Sequence, residues 1–400
     1  MNANKHVALL HAYSRRNSGD GLLVDLSVKM LREALGEQVD ITIVAADPAS
    51  FDSYDAVLGA PVISEQGAAR VAAALGALRP ARARGAQRLE RLLDAVDLIV
   101  GVGGGYLRAR NPIEALKLEA GHMLQMRAAR ASGKPAIYLP QSIGPASAGI
   151  GAASRALGAH LRGLLKDMTS VYVRDDRSAA FLAGNANVRR APDLALLELG
   201  TQLGLHDIDA VEKARGISHV GVVLREAPSW APDQCERYRR ATRALLALLE
   251  KRCRVSLAVQ SAGRGNDDSA YYRRLGVMHP VPTLRRLLAE DHPDVVISVR
   301  LHGALEAILA GVPAYHLSYE RKGFGAYNDL GVPEWVANAA DFDAGAVLEH
   351  IFAPLAVPRF WDAASCQARA LRLHRRRIID ALREAAGLPM HREWERERSC

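Results

Sequence analysis

Residues 6–36, HVALLHAYSRRNSGDGLLVDLSVKMLREALG, carry the pattern that decides the fold. The apolar run His6 to Tyr13 reads as a buried strand, Ser14 to Gly21 as a polar loop, and Leu22 to Leu35 as a helix with Gly36 just beyond it. The same order recurs through the first half. Asp40 to Ala45, Ala56 to Leu58, Leu98 to Val102, Ala136 to Leu139 and Ser170 to Val173 are further strands. Gln87 to Val96, Ala115 to Ala131 and Arg177 to Ala183 are the intervening helices. Alternating strands and helices predict a mostly parallel sheet covered by helices on both faces.

A second set follows the stretch Glu198 to Lys213, which reads as a linker. Its strands are Val220 to Leu224, Val255 to Gln260, Val295 to Ser298 and Ala314 to Ser318. Its helices are Cys235 to Lys251, Ser269 to Leu275, Thr283 to Asp291 and Gly303 to Ala310. The expected fold is therefore α/β, with two Rossmann-like domains facing a cleft: 1–200, 215–345, and a helical tail over 346–400. Ligands of open parallel sheets bind beyond the carboxyl ends of the strands, so the loops there are the places to look for a site.

Composition narrows the chemistry. Hydrophobic residues make up 49% of the 400 and charged ones 24%, the balance of a soluble folded chain. The net charge is +8, and of the 52 basic residues eight are Lys and 44 Arg. Either compositional bias or a preference for anionic partners accounts for this excess, arginine being the better fork for phosphate and carboxylate. Aromatics at 5% are too few for a surface that stacks nucleic-acid bases. Cys235, Cys253, Cys366 and Cys400 are too widely spaced for a metal knuckle and suggest a reducing compartment. No signal or spanning segment is expected, and the location predicted is the cytoplasm.

Several loops could carry chemistry. Ser14 to Gly21, with Asn17 and Asp20, opens a helix and could face an anion, or be an ordinary turn capped by Asp20. Gly103-Gly104-Gly105-Tyr106 follows a buried strand and lets the backbone approach a phosphate or sugar, unless the glycines serve helix–sheet packing. Gln141 and Ser142 suit sugar hydroxyls as well as they suit a polar turn. Arg225 ends one strand of the second set, and Arg300 and His302 end another. Two apart in an extended segment, Arg300 and His302 would share a face and form an anion clamp beside a proton donor. Glu320 and Lys322 lie in a Gly-bounded loop and are either site charges or surface charges.

Taken in order, Asn17-Ser-Gly-Asp20, Gly103-Gly-Gly-Tyr-Leu107, Gln141-Ser-Ile-Gly-Pro145, Val173-Arg-Asp175, Ala191-Pro-Asp193, Val222-Val-Leu-Arg225, Arg300-Leu-His302, Gly311-Val-Pro313 and Ser318-Tyr-Glu-Arg-Lys322 resemble the polysaccharide pyruvyl transferase family. The resemblance implies a fold like that of the two-domain GT-B glycosyltransferases. It implies transfer of pyruvate from phosphoenolpyruvate onto two hydroxyls of a polysaccharide or lipid-linked glycan precursor as a cyclic ketal, with release of phosphate. Arg300 and His302 match the family's Arg-x-His element at the phosphoenolpyruvate site, and Arg225 the Arg closing the first strand of the second domain. By this reading His302, Arg300 and Arg225 are catalytic. Asn17, Asp20, Gly103, Gly104, Gly105, Tyr106, Gln141, Ser142, Glu320 and Lys322 bind substrate, and no metal or cofactor is needed.

Two other readings stand beside it. A nucleotide-sugar glycosyltransferase of the same fold class would use the glycine loop and arginines to hold a diphosphate, and a non-catalytic carbohydrate- or phosphate-binding protein would release no phosphate. The tail helix Ala368 to Ala386 carries Leu371, Ile378, Ile379 and Leu382 on one stripe, with Arg372, His374, Arg375, Arg376 and Arg377 between. With Arg79, Arg82, Arg84, Arg88 and Arg91 it forms either a peripheral contact with the inner face of an anionic membrane or a packed helix with a solvated basic face.

Overall fold

A computed structural model describes residues 4–64, 84–146, 152–203, 216–225, 230–263 and 266–390. The chain divides into two compact units. The first comprises Met1–Arg15, Leu23–Leu194 and Leu373–Cys400; the second comprises Arg16–Leu22 and Ala195–Arg372. The segment Arg16–Leu22, which contains Asn17 and Asp20, thus belongs with the second unit.

The first unit holds β1 (His6–Ala12), β2 (Asp40–Ala45), β3 (Val57–Gly59), β4 (Leu98–Gly101), β5 (Gly104–Ala109), β6 (Ala136–Ala146), β7 (Ser170–Val173) and β8 (Val188–Arg190). They form one parallel sheet in the order β3-β2-β1-β4-β6-β7-β8, with β5 added beside β6. β4 is buried along its whole length and β1 is buried from Val7 to Ala12, which is why both read as near-continuous apolar runs. Strand order reverses between β1 and β4. The loops after these two strands therefore flank a topological switch point.

The second unit holds β9 (His219–Val223), β10 (Arg254–Ala258), β11 (Ala262–Gly263), β12 (Asn266–Asp267), β13 (Val295–Ser298), β14 (Ala314–Ser318) and β15 (Val336–Asn338). Its main sheet is parallel in the order β10-β9-β13-β14-β15, while β11 and β12 make a small antiparallel ribbon. Here the order reverses between β9 and β13. The residues just past those strands are Arg225 and Arg300.

Several expectations need correction. Gly104–Ala109 is a strand rather than a loop, paired with β6. β6 runs on from Leu139 to Ala146, so Gln141 and Ser142 stand in a strand and not in a turn after one. The stretch read as a linker from Glu198 opens inside a buried helix, Leu194–Gln202, and 204–215 lies outside the described residues. Glu320 and Lys322 sit at the start of the helix Arg321–Leu330, not in a loop.

The last helix runs Ala356–Ala385, 30 residues, and its stripe of Leu371, Ile378, Ile379 and Leu382 is buried as expected. Its arginines are not one solvated face. Arg375 is buried beside Glu33 at 2.5 Å, and Arg372 donates to the carbonyls of Gly200 and Leu203 at 3.0 and 3.1 Å. Of the second basic stretch, Arg79, Arg82 and the side chain of Arg84 lie outside the described residues, while Arg88 and Arg91 are exposed. No helix among the described residues is long and apolar enough to cross a membrane.

Candidate functional site

Past β13 the chain turns directly into the helix Leu301–Leu309. Ser298 makes this turn rigid, its hydroxyl accepting from the Arg300 N–H at 3.1 Å and donating to the Arg300 carbonyl at 2.8 Å. Arg300 is still extended, whereas His302 is already helical, so the two do not share a face by strand alternation as predicted. Both nevertheless act electrostatically on one carboxylate, Asp20.

Arg300 is buried, and Asp268 holds it. Nε lies 3.0 Å from each Asp268 carboxylate oxygen, and Nη2 closes the fork on Oδ1. Oδ2 also accepts the N–H groups of Gln260 and Ser261 at 3.1 and 3.0 Å, so the buried carboxylate is held by two backbone donors as well as by the guanidinium. Sequence reasoning missed Asp268. An Asp directly before a helix reads as its cap, but this side chain makes no capping bond and is turned to Arg300 instead.

Arg16–Leu22 is bound into the same unit by backbone bonds, Ser18 N–H to Gln260 O at 3.1 Å and Ala262 N–H to Arg16 O at 2.9 Å. A Cβ on Gly19 would lie 2.6 Å from the His302 Cβ, so only glycine lets the segment approach this closely. Asn17 Nδ2 donates to Asp20 at 2.9 Å. Burial raises the Asp20 pKa, opposed by His302, the Asn17 bond, Lys322 and Arg300. Lys322 Nζ lies 2.9 Å from Glu320, and the Arg225 guanidinium sits 5.7 Å from the Tyr319 ring centre. Asn17, Asp20, Arg300, His302 and Lys322 therefore form one cluster.

His316, a further residue that sequence reasoning missed, is electrostatically coupled to Lys322 and His302 of this cluster. Its Nδ1 donates to the Ser298 carbonyl at 2.8 Å, its ring stacks on Tyr327, and Gly323 leaves room where a Cβ would lie 2.4 Å from its Nε2. Burial pushes its pKa down to about 4, with smaller contributions from Lys322 and His302. Beside the cluster, Gln260 Nε2 and Ser261 Oγ are buried with no hydrogen-bond partner among the described residues. An unpaired buried amide donor calls for an acceptor oxygen.

The other predicted residues meet in the first unit. Gly103 and Gly104 are demanded by the protein's own packing: a Cβ on Gly103 would lie 2.8 Å from Leu194 and 2.9 Å from the Pro140 carbonyl, and one on Gly104 2.4 Å from the Tyr106 ring. Gly104→Val should therefore lower the thermal unfolding midpoint, not merely weaken ligand binding, and an unchanged midpoint would contradict this. A Cβ on Gly105 would stand 3.3 Å from Arg174 Nη2. Arg174 is buried in an ion pair with Asp193, and its Nε donates to Ser142 at 2.9 Å. Gln141 is fully buried, donating through Nε2 to the Val102 carbonyl at 2.9 Å, and Tyr106 donates to the same carbonyl. Beneath them lie two buried histidines, His11 and His122, with His122 pushed by burial to a pKa of about 4.

These depressed histidine values set a stability window. The unfolded chain protonates His122 and His316 near pH 6.5 while the folded chain resists to about 4, so stability rises with pH between those limits. Lowering the pH from 7 to 5 should cost about 2 kcal/mol per histidine, read from urea unfolding at the two pH values. No acid loss of stability would contradict their neutral burial. No group of three or more His, Cys, Asp or Glu among the described residues could hold a metal ion.

Two parallel-sheet α/β units, with side-chain clusters past the strands at each switch point, define a GT-B-like protein. Solved structures share this fold at low identity. The UDP complex of MnaA from S. aureus matches with a TM-score of 0.53 at 11% identity, covering 97% of this chain and 98% of that one. UDP-GlcNAc 2-epimerase from Neisseria meningitidis gives 0.52 at 12%, covering 95% and 100%, and a trehalose-6-phosphate synthase 0.53 at 14%, covering 95% and 99%. A search of curated proteins finds no match. The family profile described as polysaccharide pyruvyl transferase matches residues 17–321, and the chain belongs to that family.

Proposed function

We propose that the chain transfers pyruvate from phosphoenolpyruvate onto two hydroxyls of a sugar in a polysaccharide or lipid-linked glycan precursor, forming a cyclic ketal and releasing phosphate. The observation that carries this reading is the cluster around Asp20, on which His302, Arg300 and Lys322 act, beside Gln260 Nε2, a buried donor with no partner among the described residues. Phosphoenolpyruvate brings a phosphate and a carboxylate. Arg300, fixed by Asp268, together with Arg225 and Lys322, offers positive charge to both.

A proton delivered to the methylene carbon makes the methyl group and leaves a cation at the adjacent carbon, which a sugar hydroxyl attacks. The bond from that carbon to the phosphate oxygen then breaks, and the second hydroxyl closes the ketal. Of the two hydroxyl protons, one replaces the proton given to the methylene carbon and the other leaves with phosphate. His302 is the proton-transfer group, with Asp20 as its neighbouring carboxylate. No step requires a cofactor. Phosphate release from phosphoenolpyruvate that depends on a glycan acceptor is the test; release that ignores the acceptor, or none with any acceptor, removes the reading.

A further inference from the structure

The buried polar groups of the first unit are the strongest feature that this scheme leaves unused. His11 stands at an irregularity of β1 between Leu9 and Ala12 and has φ 67°, a left-handed conformation that costs a histidine strain. His122 is the last residue of a π-helical turn, Leu118–His122, set between the α-helices Pro112–Lys117 and Met123–Ala131. Irregular backbone of both kinds concentrates at functional sites. Here each irregularity delivers a histidine, and the two Nδ1 atoms meet at 3.2 Å.

Only one proton fits between those nitrogens when both rings are neutral, and burial keeps both neutral at pH 7. His11 Nε2 lies 3.0 Å from the hydroxyl of Tyr138, which is fully buried. If His122 were the donor to His11, then His11 Nε2–H would have to donate to Tyr138, and the buried Tyr138 O–H would be left over. The other direction leaves no proton over between the three groups: Tyr138 O–H donates to His11 Nε2, and His11 Nδ1–H donates to His122 Nδ1. His122 is thereby fixed as the Nε2–H tautomer. The chain ends in a hydrogen-bond donor.

Tyr106 and the Val102 carbonyl connect His122 to a buried acceptor. The His122 ring stacks on Tyr106 with centres 5.1 Å apart, and Tyr106 and Gln141 both donate to the carbonyl of Val102. Gln141 Oε1 is buried and has no hydrogen-bond partner among the described residues. A ligand that accepts from His122 and donates to Gln141 is a hydroxyl, and a neutral cluster favours an uncharged one. We propose that His122, Gln141 and the Tyr106 ring form a site for a neutral polyhydroxylated ligand, a sugar ring, with His11 and Tyr138 as the positioning residues that fix the His122 tautomer. This deepens the transferase reading, on which it rests for the identity of the sugar as acceptor.

The test uses the full chain labelled with nitrogen-15 at histidine and the glutamine side chain, with His11 and His122 assigned from His11→Asn and His122→Phe. His11 is expected as the Nδ1–H tautomer and His122 as Nε2–H, and Tyr138→Phe, which removes only a hydroxyl, is expected to change the His11 tautomer. Methyl glycosides of galactose, glucose, mannose and N-acetylglucosamine serve as probes. At least one should shift the His122 Nε2 and Gln141 resonances, while inorganic phosphate should not. His122→Phe and Gln141→Leu should raise the acceptor KM about tenfold or more, with a smaller rise in Tyr138→Phe. Opposite tautomers, resonances that no glycoside moves, or transfer with unchanged acceptor KM in both variants would overturn the site. Glycoside binding without consumption of phosphoenolpyruvate would leave the site standing and remove the transferase reading instead.

Discussion

His302→Ala is expected to lower turnover by at least ~10²-fold with the fold intact, because it removes the residue proposed to transfer the proton in the second unit's cluster. Only two positions away, Arg300 should give a loss of similar size for a different reason. In the proposed reaction its positive charge attracts the anionic groups of the donor as the phosphate departs, a contribution that mutagenesis of comparable charge-stabilising groups places at ~10²–10³-fold. The variants should separate in the KM for phosphoenolpyruvate, which rises for Arg300→Ala and changes little for His302→Ala. Near-normal turnover in either purified variant would take that residue out of the mechanism. The Arg300 variant needs a folding control, since removing it leaves Asp268 buried with two backbone donors and no cation.

Asp268→Ala should be the most destabilising single change in the second unit. It strands the Arg300 guanidinium in a site where both side chains are less than a tenth exposed. Breaking one side of such a pair costs about 3–5 kcal/mol, because the remaining charge stays buried without compensation. It also frees the N–H groups of Gln260 and Ser261, and so loosens the segment to which Arg16 and Ser18 are bonded. The check is urea unfolding of Asp268→Ala beside Asp268→Ala/Arg300→Leu. The double variant should recover part of the loss; equal stability of the wild type and Asp268→Ala would show that the pair does not hold this part of the fold.

The parts of the fold legible in the sequence were those set by local pattern. Asp40–Ala45, Ser170–Val173, Val295–Ser298 and Ala314–Ser318 were placed at their observed bounds, being apolar runs closed by polar or glycine residues. β5 escaped because it opens on Gly104-Gly105, and the end of β6 because Pro140, Gly144 and Pro145 read as breakers. Gly323 and Gly325 hid the helix Arg321–Leu330 in the same way, although Gly323 is there for close packing on His316 and Ser318.

The site divides along the same line. Arg225, Arg300 and His302 could be placed because each closely follows a strand in the sequence. Asp268 could not, since its role depends on a residue 32 positions away. The union of Asn17 and Asp20 with His302 likewise rests on contacts between Arg16–Leu22 and 260–262 that no local pattern encodes. His11 and His122 lay inside segments read correctly as strand and helix. The irregular turns that make them meet are set by tertiary packing and leave no mark in the hydrophobic period.

The most direct measurement of the central claim follows phosphoenolpyruvate labelled at its enol carbon, incubated with the protein and glycan acceptors. The account predicts that the label appears as a ketal carbon attached to the sugar, one phosphate being released per ketal formed, and that His302→Ala abolishes both signals together. Transfer of a sugar from a nucleotide-sugar donor while phosphoenolpyruvate is left unconsumed would contradict it.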